Sequence, residues 1–103
     1  MLKGYLRYLT HEDRVRCRME VEKGKVRKFV IQYEILVKNR WAPVTRFDTH
    51  HHAVHRDLLD PDGTVTKKWF LHLDFDEGLN FAYDDIGNNW ERYREWYLSK
   101  VSG

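Results

Sequence analysis

From Val15 to Leu73 the strand period of two dominates this chain, and after Leu73 the apolar residues recur at every third or fourth position, a switch that calls for a sheet followed by helix. Arg14-Val15-Arg16-Cys17-Arg18-Met19-Glu20-Val21-Glu22 alternates strictly over nine residues, which puts Val15, Cys17, Met19 and Val21 on one face of a strand. Lys23-Gly24 supplies a two-residue hairpin loop with the positive φ it needs at Gly24. A second strand, rich in β-branched and aromatic residues, is predicted from Lys25 to Lys38. A loop of that length pairs Val21 with Val26, Cys17 with Val30, Arg18 with Phe29, Arg16 with Ile31 and Arg14 with Tyr33.

Asn39-Arg40 allows a second tight turn into a strand from Trp41 to Asp48, where Pro43 argues for an edge or a bulge. Asp60-Pro61-Asp62-Gly63 suits a type I turn followed by a left-handed residue, joining residues 53–59 to 64–73. Beyond it Leu79, Ala82, Tyr83, Ile86, Trp90, Tyr93 and Tyr97 keep helical spacing, and Asp74 with Glu77 three residues on forms a capping box. Gly87 and the Asn88-Asn89 pair are poor helix interiors, so a break is expected between a helix near 78–86 and one near 89–100. The expected fold is α+β: a mainly antiparallel meander of about five strands (about 14–73) with the C-terminal helical part (about 78–100) packed on one face.

At 103 residues the chain has room for one domain, 1–103, and not for a separate cofactor domain. One third of it is charged, a polarity that would suggest disorder were aromatics scarce, but 15% is Phe, Trp or Tyr, enough for a small core of large rings. The longest apolar runs, such as Phe29-Val30-Ile31, fall far short of the ~20 residues that cross a bilayer. Residues 1–10 lack the pattern of a secretory signal, so no membrane partner and a cytoplasmic location are expected. Cys17 is the single cysteine, which excludes an internal disulfide and a multi-thiolate zinc site, and its alternating neighbours make it a buried strand thiol. Residues 1–40 hold 11 Lys/Arg against 5 Asp/Glu, and residues 41–103 hold 7 against 11. That split suits a polyanion or self-association equally. No phosphate-cradling glycine loop is present, so no nucleotide cofactor is expected.

Five of the six histidines lie between positions 50 and 72, in the run Arg46-Phe47-Asp48-Thr49-His50-His51-His52-Ala53-Val54-His55-Arg56-Asp57 and at His72. Imidazoles exchange protons near neutral pH, and two of them beside a phosphodiester, with Arg stabilising the developing charge, meet the minimum needs of metal-independent ribonuclease chemistry. His51 and His55 are the acid and base candidates, Arg46 and Arg56 the electrostatic ones, and Asp48 and Asp57 the groups that orient the rings. The plainer alternative is a hydrated or paired structural cluster. A third reading uses His51, His52, His55 and His72 as metal ligands: His52 meets His72 across the third hairpin if its loop holds Pro61, Asp62 and Gly63, and Asp48 completes the set. On a regular strand, however, His51 and His55 lie more than ~13 Å apart.

The segment Arg46 to Asp57 resembles the signature of a small prokaryotic family whose members show Arg-Tyr-Asp-Thr-Ala-His-Gly, two variable residues and His-Arg-Asp, followed by a Pro/Asp/Gly turn. Arg46, Asp48, Thr49, His51, His55, Arg56 and Asp57 match without gaps, and the likeness continues into Asp60-Pro61-Asp62-Gly63 and Lys68-Trp69. Phe47 stands for the family's Tyr, and His50 and His52 for its Ala and Gly, so the hydroxyl is lost and a tight turn at position 52 is not obligatory. More loosely, the Arg-aromatic-Asp segment running into histidines is similar to the TumE family of toxin-antitoxin toxins. That likeness implies RNA as target and a small antitoxin protein as partner.

In the predicted pairing, Arg14, Arg16 and Arg18 share a face with Phe29, Ile31, Tyr33, Val44, Arg46 and Asp48. Arginine beside aromatic rings grips phosphate and stacks bases, so Arg14, Arg16, Arg18 and Tyr33 are the RNA-binding candidates. The rival is that arginine stems merely cover the rings. Trp90, Tyr93, Trp96 and Tyr97 read as core and rim packing, or as the interface of a homodimer. The leading expectation is a toxin-like protein that binds or cleaves RNA; a dimerisation module with a structural polar cluster and a histidine-based metal-binding domain are the alternatives.

Overall fold

The computed structural model describes residues 1–101. Six strands, β1 (Leu2–Thr10), β2 (Asp13–Glu22), β3 (Lys25–Val37), β4 (Arg40–Asp48), β5 (His55–Leu59) and β6 (Val65–Trp69), form one antiparallel sheet in chain order, and a single helix α1 (Phe75–Val101) packs on one face. The fold is therefore α+β with an antiparallel meander, one strand longer than expected. The added strand is β1, whose apolar residues occupy both alternation phases, so no period marks it. It forms a sheet edge, with Leu2, Tyr5, Leu6 and Tyr8 all exposed. Among the described residues, no helix is long and apolar enough to cross a membrane.

The β2–β3 hairpin corrects the expected register. Val21 pairs with Val26 as predicted, but a bulge then leaves Arg27 without a partner, and from there on Met19 meets Phe29, Cys17 meets Ile31, Val15 meets Tyr33, and Arg18, Arg16 and Arg14 meet Val30, Gln32 and Glu34. A one-residue slip moves a whole strand's side chains to the opposite face. Without the bulge, Phe29, Ile31 and Tyr33 would share their face with three arginines. With it they join Val15 and Cys17 under the helix, and the burial of these large side chains favours the bulged register.

That helix-side layer is the core: Phe29, Ile31, Tyr33, Ile35, Val44, Phe47 and Val54 from the sheet meet Leu79, Ala82, Ile86 and Tyr97 from α1. The capping box is formed as read, with the Glu77 N–H donating to Asp74 Oδ1 (2.8 Å) and the Asp74 N–H to Glu77 Oε1 (3.0 Å). The expected break at residues 87–89 is absent. Gly87 and Asn88 sit on the exposed face of α1, while Ile86 and Trp90 on either side pack inward, so tertiary burial outweighs the roughly 1 kcal/mol that a mid-helix glycine costs.

A buried polar contact pins helix to sheet. The Tyr33 hydroxyl donates to Asp13 Oδ1 (2.5 Å), Arg94 Nη1 donates to the same carboxylate (2.9 and 3.1 Å), and Thr10 donates to its other oxygen. Burial alone would push the Asp13 carboxyl up, but the hydrogen bonds from Thr10, Tyr33 and Arg94 overcome it and hold the group below the usual carboxylate range.

A Cβ on Gly78 would meet Val54 Cγ2 at 2.6 Å, whereas one on Gly87 meets nothing within 4 Å. Gly87→Ala should therefore raise stability by roughly 0.5–1 kcal/mol through helix propensity, and Gly78→Ala should lower it, both read from urea midpoints. Because the Asp13 pKa is depressed in the fold, its stabilisation is present above the unfolded value of about 3.9 and disappears as pH falls through the folded value. Arg94→Met should cost about 1.5–3 kcal/mol at neutral pH and move the Asp13 part of the acid transition to higher pH, measurable by thermal melts from pH 7 to pH 2.

Candidate functional site

The face turned away from α1 is polar and is organised in rows that cross the strands. One row runs Leu6, Arg16, Gln32, Arg46, Asp57, Lys67; the next runs Gly4, Arg18, Val30, Asp48, His55, Trp69. Strand alternation thus brings Arg46, Asp48, His55 and Asp57 onto one patch from two adjacent strands. The same alternation sends Arg56 to the other face, opposite Phe47 and beside Tyr93, where its Nε is buried without a hydrogen-bond partner among the described residues. Arg56 therefore does not join the group it was expected to complete.

His55 is the centre of the patch, with its side chain 1% exposed. Its Nε2 lies 2.9 Å from Asp48 Oδ1 and 3.8 Å from Asp57 Oδ1, its Nδ1 lies 3.3 Å from the Ala53 carbonyl, and Trp69 covers the ring at 4.9 Å between centroids. Asp57 also accepts from Lys67 Nζ at 2.8 Å. Lys67 is a site residue that the sequence reading did not pick out. The register that pairs position 52 with 72 across the third hairpin also pairs Asp57 with Lys67, so the signal was present.

The histidine run is a 3-10 turn over His50–His52. Asp48 Oδ1 accepts the His50 N–H (2.9 Å), the Thr49 N–H donates to the Phe29 carbonyl (3.2 Å), and His51 and His52 both take positive φ, 66° and 63°. The left-handed backbone at position 52, where no tight turn was held to be obligatory, is taken by a histidine. Their rings are exposed, while His55 is shut in, so the turn separates the two imidazoles that were paired as acid and base. The metal set His51, His52, His55 and His72 does not assemble either: β5–β6 pairing ends at His55–Trp69, and His72 sits beside Phe70 beyond β6. Among the described residues, the group of three or more possible ligand atoms that does converge is Asp48, His55 and Asp57, all within 4.8 Å of one another.

The RNA-binding candidates divide. Tyr33 is fully buried on the helix side, where burial and the Asp13 carboxylate push its hydroxyl well above its usual range, so it offers no ring to a base. Arg14 donates to the buried Glu34 (2.6 Å) and lies over Trp41 at 4.0 Å, and Arg16 donates to the other Glu34 oxygen (3.2 Å). Burial opposes ionisation of Glu34, but Arg14, Gln32 and Arg16 outweigh it and hold the carboxyl below the usual range. Arg46 gives its Nε to Gln32 (2.7 Å). Arg18 and Arg46 make no ion pair among the described residues. The expectation that Arg46 and Asp48 adjoin the arginine stripe holds, although the aromatic partners of that stripe do not.

The patch floors an open groove of about 1140 Å³, whose walls include Arg27, Lys28 and the three exposed histidines. On α1, Tyr97 is buried and Trp90, Tyr93 and Trp96 are half-buried against the core, which leaves the expected dimer face largely spent on packing. The whole chain, residues 1–103, matches the family model described as Domain of unknown function (DUF7718). It belongs to that family. Neither a curated protein nor a solved structure matches it.

His52→Gly relieves a left-handed residue and should raise stability by about 1 kcal/mol. His52→Ala keeps the strain and should not. Comparison of the two variants by chemical denaturation separates the turn's backbone requirement from any use of the ring.

Proposed function

We propose that this protein binds RNA in the groove on the open face of its sheet. The observation that carries the reading is the pair Arg18 and Arg46, which lie in adjacent rows of the floor and make no ion pair among the described residues, with three exposed imidazoles on the groove wall. Guanidinium groups of that kind take phosphate oxygens in bidentate fashion. Trp69, 43% exposed at the outer edge of the same face, offers a stacking surface to an unpaired base, which favours single-stranded over duplex RNA. The looser likeness of the Arg46-Phe47-Asp48 segment, running into histidines, to the TumE toxins supports the same substrate class, and with it a toxin-like role and an antitoxin partner.

Within this reading the residues have separate tasks. Arg18 and Arg46 hold phosphates, and His51 is the imidazole exposed enough to exchange a proton with a bound phosphodiester. His55 and Asp57 are positioning residues. His55 fixes the Asp48 carboxylate, which in turn holds the His50 N–H and so the turn that presents His51.

Fluorescence anisotropy with a labelled single-stranded oligoribonucleotide, titrated across salt concentrations, tests the proposal. Arg18→Ala and Arg46→Ala should each weaken binding and reduce the slope of log K against log salt by about 1, while Arg92→Ala, on the exposed side of α1, should leave the slope unchanged. Absence of salt-dependent affinity in the unaltered protein would remove the reading. If binding survives, loss of RNA cleavage in His51→Ala with unchanged affinity separates reaction from recognition.

A further inference from the structure

We infer that Asp48, His55 and Asp57 form a binding site for one divalent transition-metal ion, and that Lys67 competes with that ion for Asp57. The inference concerns the floor of the groove and holds whatever occupies the space above it. It starts from distances. Ligands bound at about 2.1 Å lie about 3.0 Å apart on adjacent corners of an octahedron and about 3.4 Å apart at tetrahedral angles. Here His55 Nε2 is 2.9 Å from Asp48 Oδ1 and 3.8 Å from Asp57 Oδ1, and all three donor atoms lie within 4.8 Å. A small turn of the two carboxylates closes the set on a common centre.

The orientation of His55 is a second and independent indication. A metal-bound imidazole commonly gives its other ring N–H to a backbone carbonyl, which fixes the ring and aims the free nitrogen at the ion. His55 Nδ1 faces the Ala53 carbonyl at 3.3 Å, so an ion taking Nε2 in place of its contact with Asp48 would leave the ring in the tautomer that gives Nδ1–H to that carbonyl.

Charge supplies the third argument. The side chains of Asp48, His55 and Asp57 are 12%, 1% and 8% exposed, and among the described residues Lys67 is the one lysine or arginine ion-paired to them. Two buried carboxylates converge on one imidazole nitrogen, a concentration of acceptor oxygens that a divalent ion would satisfy directly. One imidazole with two carboxylates suits Mn²⁺ or Zn²⁺ better than Mg²⁺ or a soft ion. The groove leaves the remaining coordination positions open to water or to an anionic oxygen.

The test uses the metals alone on the full chain. Mn²⁺ is titrated while the signal of the free ion is followed by electron paramagnetic resonance, and Zn²⁺ bound after dialysis is counted by elemental analysis. One ion per chain is expected, retained when His50, His51 and His52 are all replaced by Ala and weakened on the order of 100-fold in Asp48→Asn or Asp57→Asn. Lys67→Met should bind more tightly than the unaltered protein, because the competing ammonium is gone; a structural pair would give no such gain. Should the Asp variants fail to fold, broadening of histidine ring resonances by substoichiometric Mn²⁺ decides the matter in the unaltered chain. His55 must broaden before His11, His50, His51, His52 and His72. No bound ion, or an ion lost with the three exposed histidines and indifferent to Asp48 and Asp57, overturns the inference.

Discussion

The bulge at Arg27 decides what each face of the sheet is for. One unpaired residue in β3 shifts the pairing of everything before Val21, so Met19, Cys17 and Val15 fall opposite Phe29, Ile31 and Tyr33, and the three arginines fall opposite Val30, Gln32 and Glu34. The first set closes the core with α1, and the second begins the polar rows that reach Lys67 and Trp69 on the far edge. A sheet of alternating side chains has just these two assignments, and they differ by a single residue of slip. Hydrophobic burial chooses between them: each large side chain moved under the helix is worth roughly 1.5–3 kcal/mol, well above the cost of one interrupted ladder bond.

The elements were legible where local chemistry acts alone. The alternation of residues 14–22, the Lys23-Gly24 and Asp60–Gly63 turns, and the Asp74/Glu77 capping box each fix their own backbone, and each is found where it was read. What the sequence concealed depends on contacts distant in the chain. β1 carries no alternation because nothing covers either of its faces fully, and its place is fixed by pairing with β2. Gly87-Asn88-Asn89 looks like a terminus, yet Ile86 and Trp90 are gripped by the sheet and carry the helix through. The hairpin loop was identified, but the bulge beyond it answers to the helix, some fifty residues later in the chain.

The candidate site was legible as a segment and not as a set of roles. Arg46, Asp48, His55 and Asp57 do gather, because 46 pairs with 57 and 48 with 55 across two antiparallel strands, and each strand's two residues are two positions apart and so of one parity. Parity also removes Arg56, which could have been excluded by counting alone. The separation of His51 from His55 was harder to foresee: it follows from two consecutive left-handed residues, a conformation that His adopts seldom and at some cost. A buried histidine held by carboxylates and an exposed one on a strained turn are chemically different tools, although the sequence writes them with the same letter.

The polar face also shows how so charged a small domain remains a single folded unit. Glu34 is held by Arg14, Arg16 and Gln32, and Gln32 accepts from Arg46; on the neighbouring strands Asp57 is shared by Lys67 and His55, and His55 meets Asp48. Each link satisfies a group that would be expensive to bury alone, so the arrangement is cooperative: truncating one member strands the next. Such a network adds little net stability over an apolar surface of equal area, since every charge in it has given up water. It runs across five strands on the face that the helix leaves open, where water stays close to its outer members. Arg18 and Arg46, which make no ion pair among the described residues, set two guanidiniums on the groove floor beside the Asp48, His55 and Asp57 cluster.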